Sequence, residues 1–289
     1  MKKVMITGSS SGFGYLTTLT LARNGYKVWA TMRDMNGKNR LKKQELETLA
    51  AKENLAINVA ELDITSDASV KALAEQITKE DNSLDIVINN AGVMYVGITE
   101  AYSLEQVQAQ FNTNFFGVIR TSKTFLPLLK KSKDGLLINL SSLAGRLVFP
   151  YFGIYCASKF ALEAYSEALR YELKPFGVDV SIIEPGPFPT GLLYSGPKED
   201  EVSTLEGYGD AQHIPAAMLQ NFGEFFKSEN APNPQEIGDA VLEIIQSKKG
   251  KRPIRKVVGI DYGTKELNEK TSSIQENHIK NNLQMGHLI

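Results

Sequence analysis

Short apolar runs alternate along the chain with longer segments whose apolar residues recur every three or four positions. The run Lys2 to Thr7 ends at a glycine and is typical of a buried strand. Leu16, Leu19 and Ala22 in the next segment follow the spacing of a helix. A second apolar run, Lys27 to Met32, predicts another strand. The order strand, glycine turn, helix and strand predicts a βαβ unit.

The same alternation continues through most of the chain. It predicts helices at Arg40 to Glu53, Ser66 to about Lys79, about Leu104 to Lys131 (interrupted near Pro127), Ile154 to Leu173 and Asn233 to about Gln246, and strands at Ala56 to Leu62, Leu84 to Ile88, Gly135 to Leu140, Val178 to Ile183 and Arg255 to Ile260. Strands that alternate with helices predict an α/β fold. We expect a doubly wound, Rossmann-type parallel sheet of about seven strands with helices on both faces.

We expect residues 1–289 to form a single Rossmann-type domain. Residues 1–186 make up its predicted cofactor-binding and catalytic core, and residues 234–260 add the last helix and strand. Between residues 187 and 233 the alternation stops, and glycine, proline and scattered apolar residues indicate a substrate loop or lid. Residues 261–289 are predicted to be a polar C-terminal tail.

The chemically unusual residues follow directly after predicted strands. They are Gly8, Asp63, Asn89, Ser142 and Gly186. In parallel sheets, ligands bind beyond the carboxyl ends of the strands. We therefore expect these residues to meet at one edge of the sheet and to form the functional site there.

The composition argues against several kinds of binding partner and site. The chain has 289 residues, of which 42% are hydrophobic and 22% charged, and its formal net charge is −1. Such a balance is ordinary for a globular protein and gives no reason to propose a nucleic acid or an anionic membrane as partner. One cysteine, Cys156, and three histidines argue against an internal disulfide and against a metal site.

The apolar run behind the N-terminal lysines is too short for a secretory signal. No other apolar run approaches the roughly 18 residues of a membrane-spanning helix. We therefore expect a cytoplasmic protein that does not insert into a membrane.

The glycine turn Thr7-Gly8-x-x-x-Gly12-x-Gly14 lies between a predicted strand and a predicted helix. This context directs backbone N–H groups at an anion and predicts dinucleotide binding, although glycine can also serve close strand–helix packing alone. The second strand ends at Arg33-Asp34. An arginine here accommodates a 2′-phosphate, whereas a carboxylate binds the ribose hydroxyls of NAD. NADP(H) is therefore favoured, and Asp34 keeps NAD(H) possible.

Tyr155 and Lys159 are four residues apart in a predicted helix and so share one face. A phenol has a pKa of about 10, and a nearby cation favours the phenolate. The pair is therefore a plausible acid/base unit, or else a surface lysine one turn from a core tyrosine. Ser142 precedes the tyrosine by thirteen residues. Asn114, polar within an apolar helix, indicates a local distortion or a buried polar role.

Together these motifs resemble the short-chain dehydrogenase/reductase family. The matching motifs are Thr7-Gly8-x-x-x-Gly12-x-Gly14, Asn89-Asn90-Ala91-Gly92, the set Asn114, Ser142, Tyr155 and Lys159, and Pro185-Gly186-x-x-x-Thr190. The segments Tyr155-Cys-Ala-Ser-Lys-Phe-Ala-Leu-Glu and Ala30-Thr-Met-Arg-Asp are similar to the hydroxysteroid and retinol dehydrogenase-like branch. Pro189 departs from this branch, which often has a basic residue there.

The resemblance implies four catalytic roles. Tyr155 is the general acid in reduction and the general base in oxidation, and Lys159 lowers its pKa and binds the nicotinamide ribose. Ser142, which the family spacing selects over Ser141, holds the substrate oxygen, and Asn114 positions a water that links Lys159 to solvent. The predicted cofactor-binding residues are Gly8, Ser10, Gly12, Phe13, Gly14, Arg33, Asp63, Ile64, Asn90, Ala91, Gly92, Tyr155, Lys159, Pro185, Gly186 and Thr190.

The expected function is that of an NADP(H)-dependent oxidoreductase that interconverts a carbonyl and an alcohol as a homodimer or homotetramer. A possible apolar wall of Phe149, Tyr151, Phe152, Leu193, Tyr194 and Phe222 points to a bulky or lipophilic substrate, or to core or a subunit contact. An NADP(H)-binding regulator or scaffold with little turnover is the alternative. A protein that only binds NADP(H), however, has no need of the proton-transfer set formed by Asn114, Ser142, Tyr155 and Lys159.

Overall fold

The computed structural model describes residues 1–289 and contains one seven-stranded sheet. Its strands are β1 (Lys3–Ile6), β2 (Lys27–Met32), β3 (Ile57–Glu61), β4 (Ile86–Asn89), β5 (Gly135–Leu140), β6 (Val178–Pro185) and β7 (Arg255–Val258). The strands lie in the order β3-β2-β1-β4-β5-β6-β7, and all neighbours are parallel. The predicted doubly wound sheet is confirmed, and the strand order reverses between β1 and β4, where such folds bind ligands.

Ten α-helices accompany the strands. They are α1 (Gly12–Arg23), α2 (Arg40–Glu53), α3 (Asp67–Asp81), α4 (Leu104–Phe111), α5 (Gly117–Leu129), α6 (Gly153–Leu173), α7 (Val202–Gly207), α8 (Ile214–Phe225), α9 (Gln235–Gln246) and α10 (Thr264–Asn277). Because neighbouring strand residues face opposite sides, the sheet has two cores. One lies under α1, α2 and α9, and the other under α3, α5 and α6.

The interruption of the long helix lies earlier in the chain than predicted. Pro127 is inside α5, which continues to Leu129, so the expected break near this proline is wrong. The break is instead one π-helical turn at Asn112–Phe116, between α4 and α5. The distortion expected around Asn114 is therefore present, and Asn114 itself is buried there.

Two segments that sequence patterning left irregular contain helices. Residues 187–233 hold α7 and α8, and the polar tail contains α10. The sequence of α10 is polar because the side chains that it buries, Thr264 and Asn268, are polar as well. None of the helices combines the length and apolar character that crossing a membrane requires.

Candidate active site

The glycine turn connects β1 to the N-terminus of α1. Gly8 and Gly12 have positive φ angles of 73° and 54°, a region that favours glycine. A Cβ atom on Gly14 would collide with the Gly8 carbonyl and lie 2.5 Å from Nδ2 of Asn90. The N-cap residue Ser11 makes no side-chain hydrogen bond to the helix, so the first N–H groups of α1 are left for an anion.

The turn is fastened to the end of β4 by Asn90. Its Nδ2 donates to the carbonyls of Thr7 and Gly8 at 2.8 and 3.0 Å, and the Thr7 hydroxyl accepts from the backbone N–H groups of Asn90 and Ala91. Asn89, in contrast, is buried and bonded to Asn139. Asn90 therefore shapes the site, whereas Asn89 stabilises the core.

A cavity of about 470 Å³ runs along the carboxyl ends of the strands. The predicted site residues that line it are Gly8, Ser10, Gly12, Phe13, Arg33, Asp63, Ile64, Asn90, Ala91, Gly92, Ser142, Tyr155, Lys159, Pro185, Gly186 and Thr190. Gly14 is buried beneath the turn, and Asn114 lies behind Gly92. The structure thus gathers nearly the whole predicted set around one groove.

Two cationic side chains line the end of the groove beside β2. Arg33 is joined there by Lys38, which the sequence reading did not select. In the sequence, the only indication that Lys38 belongs to the groove is that it follows Arg33 by five residues in the same loop. Asp34 does not line the groove, because its carboxylate turns back to accept the backbone N–H of Lys38 at 2.8 Å. This end of the site is therefore basic.

Asp63 follows β3, where it fixes a turn and also faces the groove. Its Oδ1 accepts from both the backbone N–H and the hydroxyl of Thr65, at 2.9 and 2.7 Å, which fixes the turn into α3. The residue also lines the groove. Turn formation and a position beside a ligand are thus compatible.

Tyr155 and Lys159 lie on the buried face of α6, in the middle of the groove. The ammonium of Lys159 donates to the carbonyl of Leu140 at 2.8 Å and lies 5.8 Å from the centre of the Tyr155 ring. Ser142 lines the groove with Tyr155, and its side chain favours the phenolate of Tyr155. The hydroxyl of Ser141 lies instead beside Gly145 and Glu163, so the two adjacent serines have different surroundings.

Burial changes the acidity of both central groups. It raises the pKa of Tyr155 above the usual value for a phenol, and the side chain of Ser142 offsets this only in part. Burial also lowers the pKa of Lys159 to about 8, although the nearby charge of Glu163 acts in the opposite direction. The phenol is therefore in its proton-donating form, and the charge on Lys159 depends on its surroundings.

Asn114 is held by the loop that follows β4. Its Oδ1 accepts from the backbone N–H of Val93 at 2.9 Å, and its Nδ2 donates to the Val93 carbonyl and to the hydroxyl of Ser158. A Cβ on Gly92 would lie 3.3 Å from Oδ1 of Asn114 and 4.0 Å from Nζ of Lys159. Asn114 is thus next to the lysine, on the side of Gly92.

The other end of the groove, beyond Tyr155, is apolar. It is lined by Met94, Phe149, Phe152, Leu193, Phe222, Phe226 and Tyr262. Four of the six residues predicted for this wall are among them, whereas Tyr151 and Tyr194 do not line the groove. Tyr194 is 59% exposed. Several of these side chains also pack against Phe152 and Tyr155, so the wall is continuous with a small core.

The fold and the groove define an α/β protein of the dinucleotide-binding class. Residues 2–200 match the family described as short chain dehydrogenase. The chain therefore belongs to the short-chain dehydrogenase family and is an oxidoreductase.

Among its relatives is a 3-ketodihydrosphingosine reductase of Bacteroides thetaiotaomicron, which is 36% identical over 89% of this chain and 87% of the relative. Retinol dehydrogenase 8 of Bos taurus is 34% identical over 90% of this chain and 82% of its own length. A short-chain dehydrogenase structure from Streptomyces avermitilis superposes with a TM-score of 0.75 at 26% identity, covering 99% of this chain and 98% of that chain. These similarities extend well beyond the shared motifs.

Proposed function

We propose that this protein is an NADP(H)-dependent oxidoreductase that interconverts a carbonyl and an alcohol on a bulky, uncharged, apolar substrate. The observation that carries the proposal is the position of Tyr155, Ser142 and Lys159 midway along one groove that is basic at one end and apolar at the other. A cofactor phosphate fits the basic end, and a lipophilic substrate fits the apolar end.

Each central side chain has a role that its position supports. The nicotinamide, when bound, supplies or accepts the hydride. Ser142 donates a hydrogen bond to the carbonyl oxygen of the substrate, and Tyr155 transfers its phenolic proton to that oxygen during reduction. The raised pKa of Tyr155 favours this acid form. In oxidation the phenolate takes the proton back, and the ammonium of Lys159 favours the phenolate.

The distribution of charge supports an uncharged substrate. The charged side chains that line the groove are Arg33, Lys38, Asp63 and Lys159, and none of them belongs to the apolar end. A small carboxylate substrate would have to be bound there without a cationic partner, which is costly. The relatives that are named for 3-ketodihydrosphingosine and for retinol agree with a lipophilic substrate class.

A substrate panel tests this proposal against the regulator alternative. The purified protein is assayed with NADPH and long-chain ketones, retinal-like aldehydes and steroid ketones, and with acetoacetate and pyruvate as charged controls. We expect kcat/KM to be roughly 100-fold higher for the apolar carbonyls, because an unpaired buried carboxylate costs several kcal/mol. A preference for the charged acids contradicts the substrate class. Tight NADPH binding without turnover on any member favours a regulator.

The cofactor preference is tested with two substitutions in the loop after β2. We expect Arg33→Ala and Lys38→Ala each to weaken NADPH binding by about 10-fold or more, because a charged hydrogen bond contributes roughly 1.5–3 kcal/mol. NADH binding, which involves no 2′-phosphate, is expected to change little. Arg40→Ala is the matched control, because Arg40 is exposed and does not line the groove. Equal losses for both cofactors, measured by fluorescence titration, would contradict this assignment.

A further inference from the structure

A buried charged cluster lies between α6 and the last two strands, behind the catalytic serine loop. We call Glu163, Glu184 and Arg255 the Glu163 cluster. The two carboxyl residues are 2% and 0% exposed. None of the three lines the groove, so substrate and cofactor do not account for them.

Arg255 is shared among three carboxyl groups. Its Nε donates to Oε2 of Glu163 at 2.9 Å and lies 3.5 Å from Oε1 of Glu184. Its Nη2 donates to Glu167 at 2.6 Å, at the less buried end of the cluster. The second oxygen of Glu184 accepts from Asn268 of α10. Glu163 is therefore the closer of the two buried carboxyls to the guanidinium.

Glu163 is also the nearest carboxyl to the catalytic lysine along α6. It follows Lys159 by four residues, and such positions are neighbours on one helix face. A Cβ on Gly145 would lie 2.7 Å from the Ser141 hydroxyl oxygen, 2.9 Å from Cγ of Glu163 and 3.1 Å from the Lys159 carbonyl. Glu163 thus packs against Gly145 beside the backbone of Lys159. The side chains of Glu163 and Lys159 are both buried, and the charge of Glu163 acts on Lys159 in surroundings where charges interact strongly.

The charge balance of the cluster favours one ionised carboxyl and one protonated carboxyl. Arg255 and Arg146 face three carboxyl groups, those of Glu163, Glu167 and Glu184, so one negative charge would be uncompensated, which is unfavourable in a buried site. Burial, followed by the charge of Glu163, raises the pKa of Glu184 to about 8. Burial raises the pKa of Glu163 as well, but the charge and the hydrogen bond of Arg255 act in the opposite direction, and Arg255 lies closer to Glu163 than to Glu184. Near neutral pH, Glu184 is therefore the carboxyl that carries the proton.

We propose that Glu163 is a positioning residue whose carboxylate, held by Arg255, keeps the Lys159 ammonium charged, while the protonated Glu184 allows Glu163 to stay ionised. The proposal rests on the proposed function only for its effect on catalysis. Its physical reason is that burial alone favours a neutral lysine, whereas the cationic form supports the phenolate of Tyr155. The anion behind the helix offsets the cost of burying the cation.

The groups that face these side chains come from several elements. Around Lys159 they are Tyr155 and Glu163 of α6, the carbonyl of Leu140, and Asn114. Around Glu163 they are Ser141, Arg146, Glu184 and Arg255, and Arg255 also binds Glu167. Arg146 is itself bonded to Asn268 and Thr271 of α10. Among the groups around Lys159, Glu163 is the only one that carries a negative charge near neutral pH.

The decisive measurement is the pKa of Lys159, followed by NMR on protein with ¹³C-labelled lysine. Lys159→Arg assigns the signal. We expect Glu163→Gln to lower this pKa by about one unit, the size typical of a lost opposite charge nearby. Glu184→Gln, which replaces a protonated carboxyl by an uncharged amide, is the matched control and is expected to leave it nearly unchanged. Glu163→Asp is expected to restore most of the effect.

The same variants separate this inference from the proposed function. If the protein turns over an alcohol, the pH midpoint of oxidation is expected to move upward in Glu163→Gln and to stay in place in Glu184→Gln. If no substrate is turned over, the NMR titration still tests the role of Glu163. An unchanged Lys159 pKa in folded Glu163→Gln overturns the proposal, even if its thermal stability is lower. Should that variant not fold, carboxyl ¹³C shifts of the wild-type protein decide: a protonated Glu163 at pH 7 overturns it as well.

Discussion

Tyr155→Phe is expected to lower kcat for carbonyl reduction by roughly 10²- to 10⁴-fold, the usual contribution of a positioned acid/base group. The substitution removes one hydroxyl from a side chain that is 2% exposed and preserves the ring that packs against Phe152. NADPH binding is therefore expected to remain within a few-fold of the wild-type value. The measurements are steady-state reduction with an active carbonyl and a separate NADPH titration.

Tyr165→Phe is the matched control for this result. Tyr165 is on the same helix, is partly buried and packs edge-to-face against Phe115, and it does not line the groove. We expect this variant to retain turnover within a few-fold of the wild type. Turnover that survives in Tyr155→Phe would contradict the assignment of the proton donor. A comparable loss in both variants would indicate a general effect of disturbing α6.

Lys159→Met is expected to abolish most turnover and yet to stabilise the cofactor-free protein near pH 7. Burial lowers the pKa of Lys159 from 10.5 to about 8, so folding at pH 7 must bury a charge at a cost of about 3 kcal/mol. Methionine has a similar length and avoids this cost. The Leu140 carbonyl loses its donor, which offsets about 1 kcal/mol. The expected net gain is about 2 kcal/mol in free energy of unfolding, measured by urea denaturation.

The lowered pKa of Lys159 also predicts how the free energy of unfolding changes with pH. Between about pH 8 and 10.5 the unfolded chain keeps the proton on Lys159 while the folded protein has lost it. Wild-type stability from this group therefore rises with pH across that interval, and Lys159→Met lacks the rise. The advantage of Lys159→Met should be largest below pH 8 and should be lost as pH rises to about 10.5, where only the missing hydrogen bond to Leu140 remains and the wild type is expected to be more stable by about 1 kcal/mol. A variant that is less stable than the wild type at pH 7 and at pH 10.5 alike would contradict this account.

The residues of the groove show which parts of the candidate site could be predicted from the sequence. The glycine turn, the serine and the Tyr155–Lys159 pair could be selected from the sequence because each depends on spacing within one segment. That they meet at one edge follows from the parallel sheet, since strand ends on the same side are brought together. Lys38 was missed because its entry into the groove depends on how the loop from Arg33 to Asn39 folds back on itself.

The position of the break in the long helix could not be predicted from the local sequence. Pro127 predicted an interruption because it lacks a backbone donor, but α5 continues through it. The actual π-helical turn contains Asn114, whose side chain bonds the backbone of Val93, 21 residues earlier in the chain. A contact between distant segments therefore determines the geometry, and periodicity within the helix does not record it.

The sequence by itself determined the alternating strands and helices, the glycine turn and the residue types of the proposed reactive centre, because periodicity and spacing are local properties of the chain. Only the tertiary structure decided that Asp34 turns away from the groove and that α10 joins the polar network behind α6. The bond from Arg146 to Asn268 connects residues 122 positions apart. Such pairings depend on how the finished sheet brings its loops and tail together, so the surroundings that set the charge on Lys159 appear only in the folded molecule.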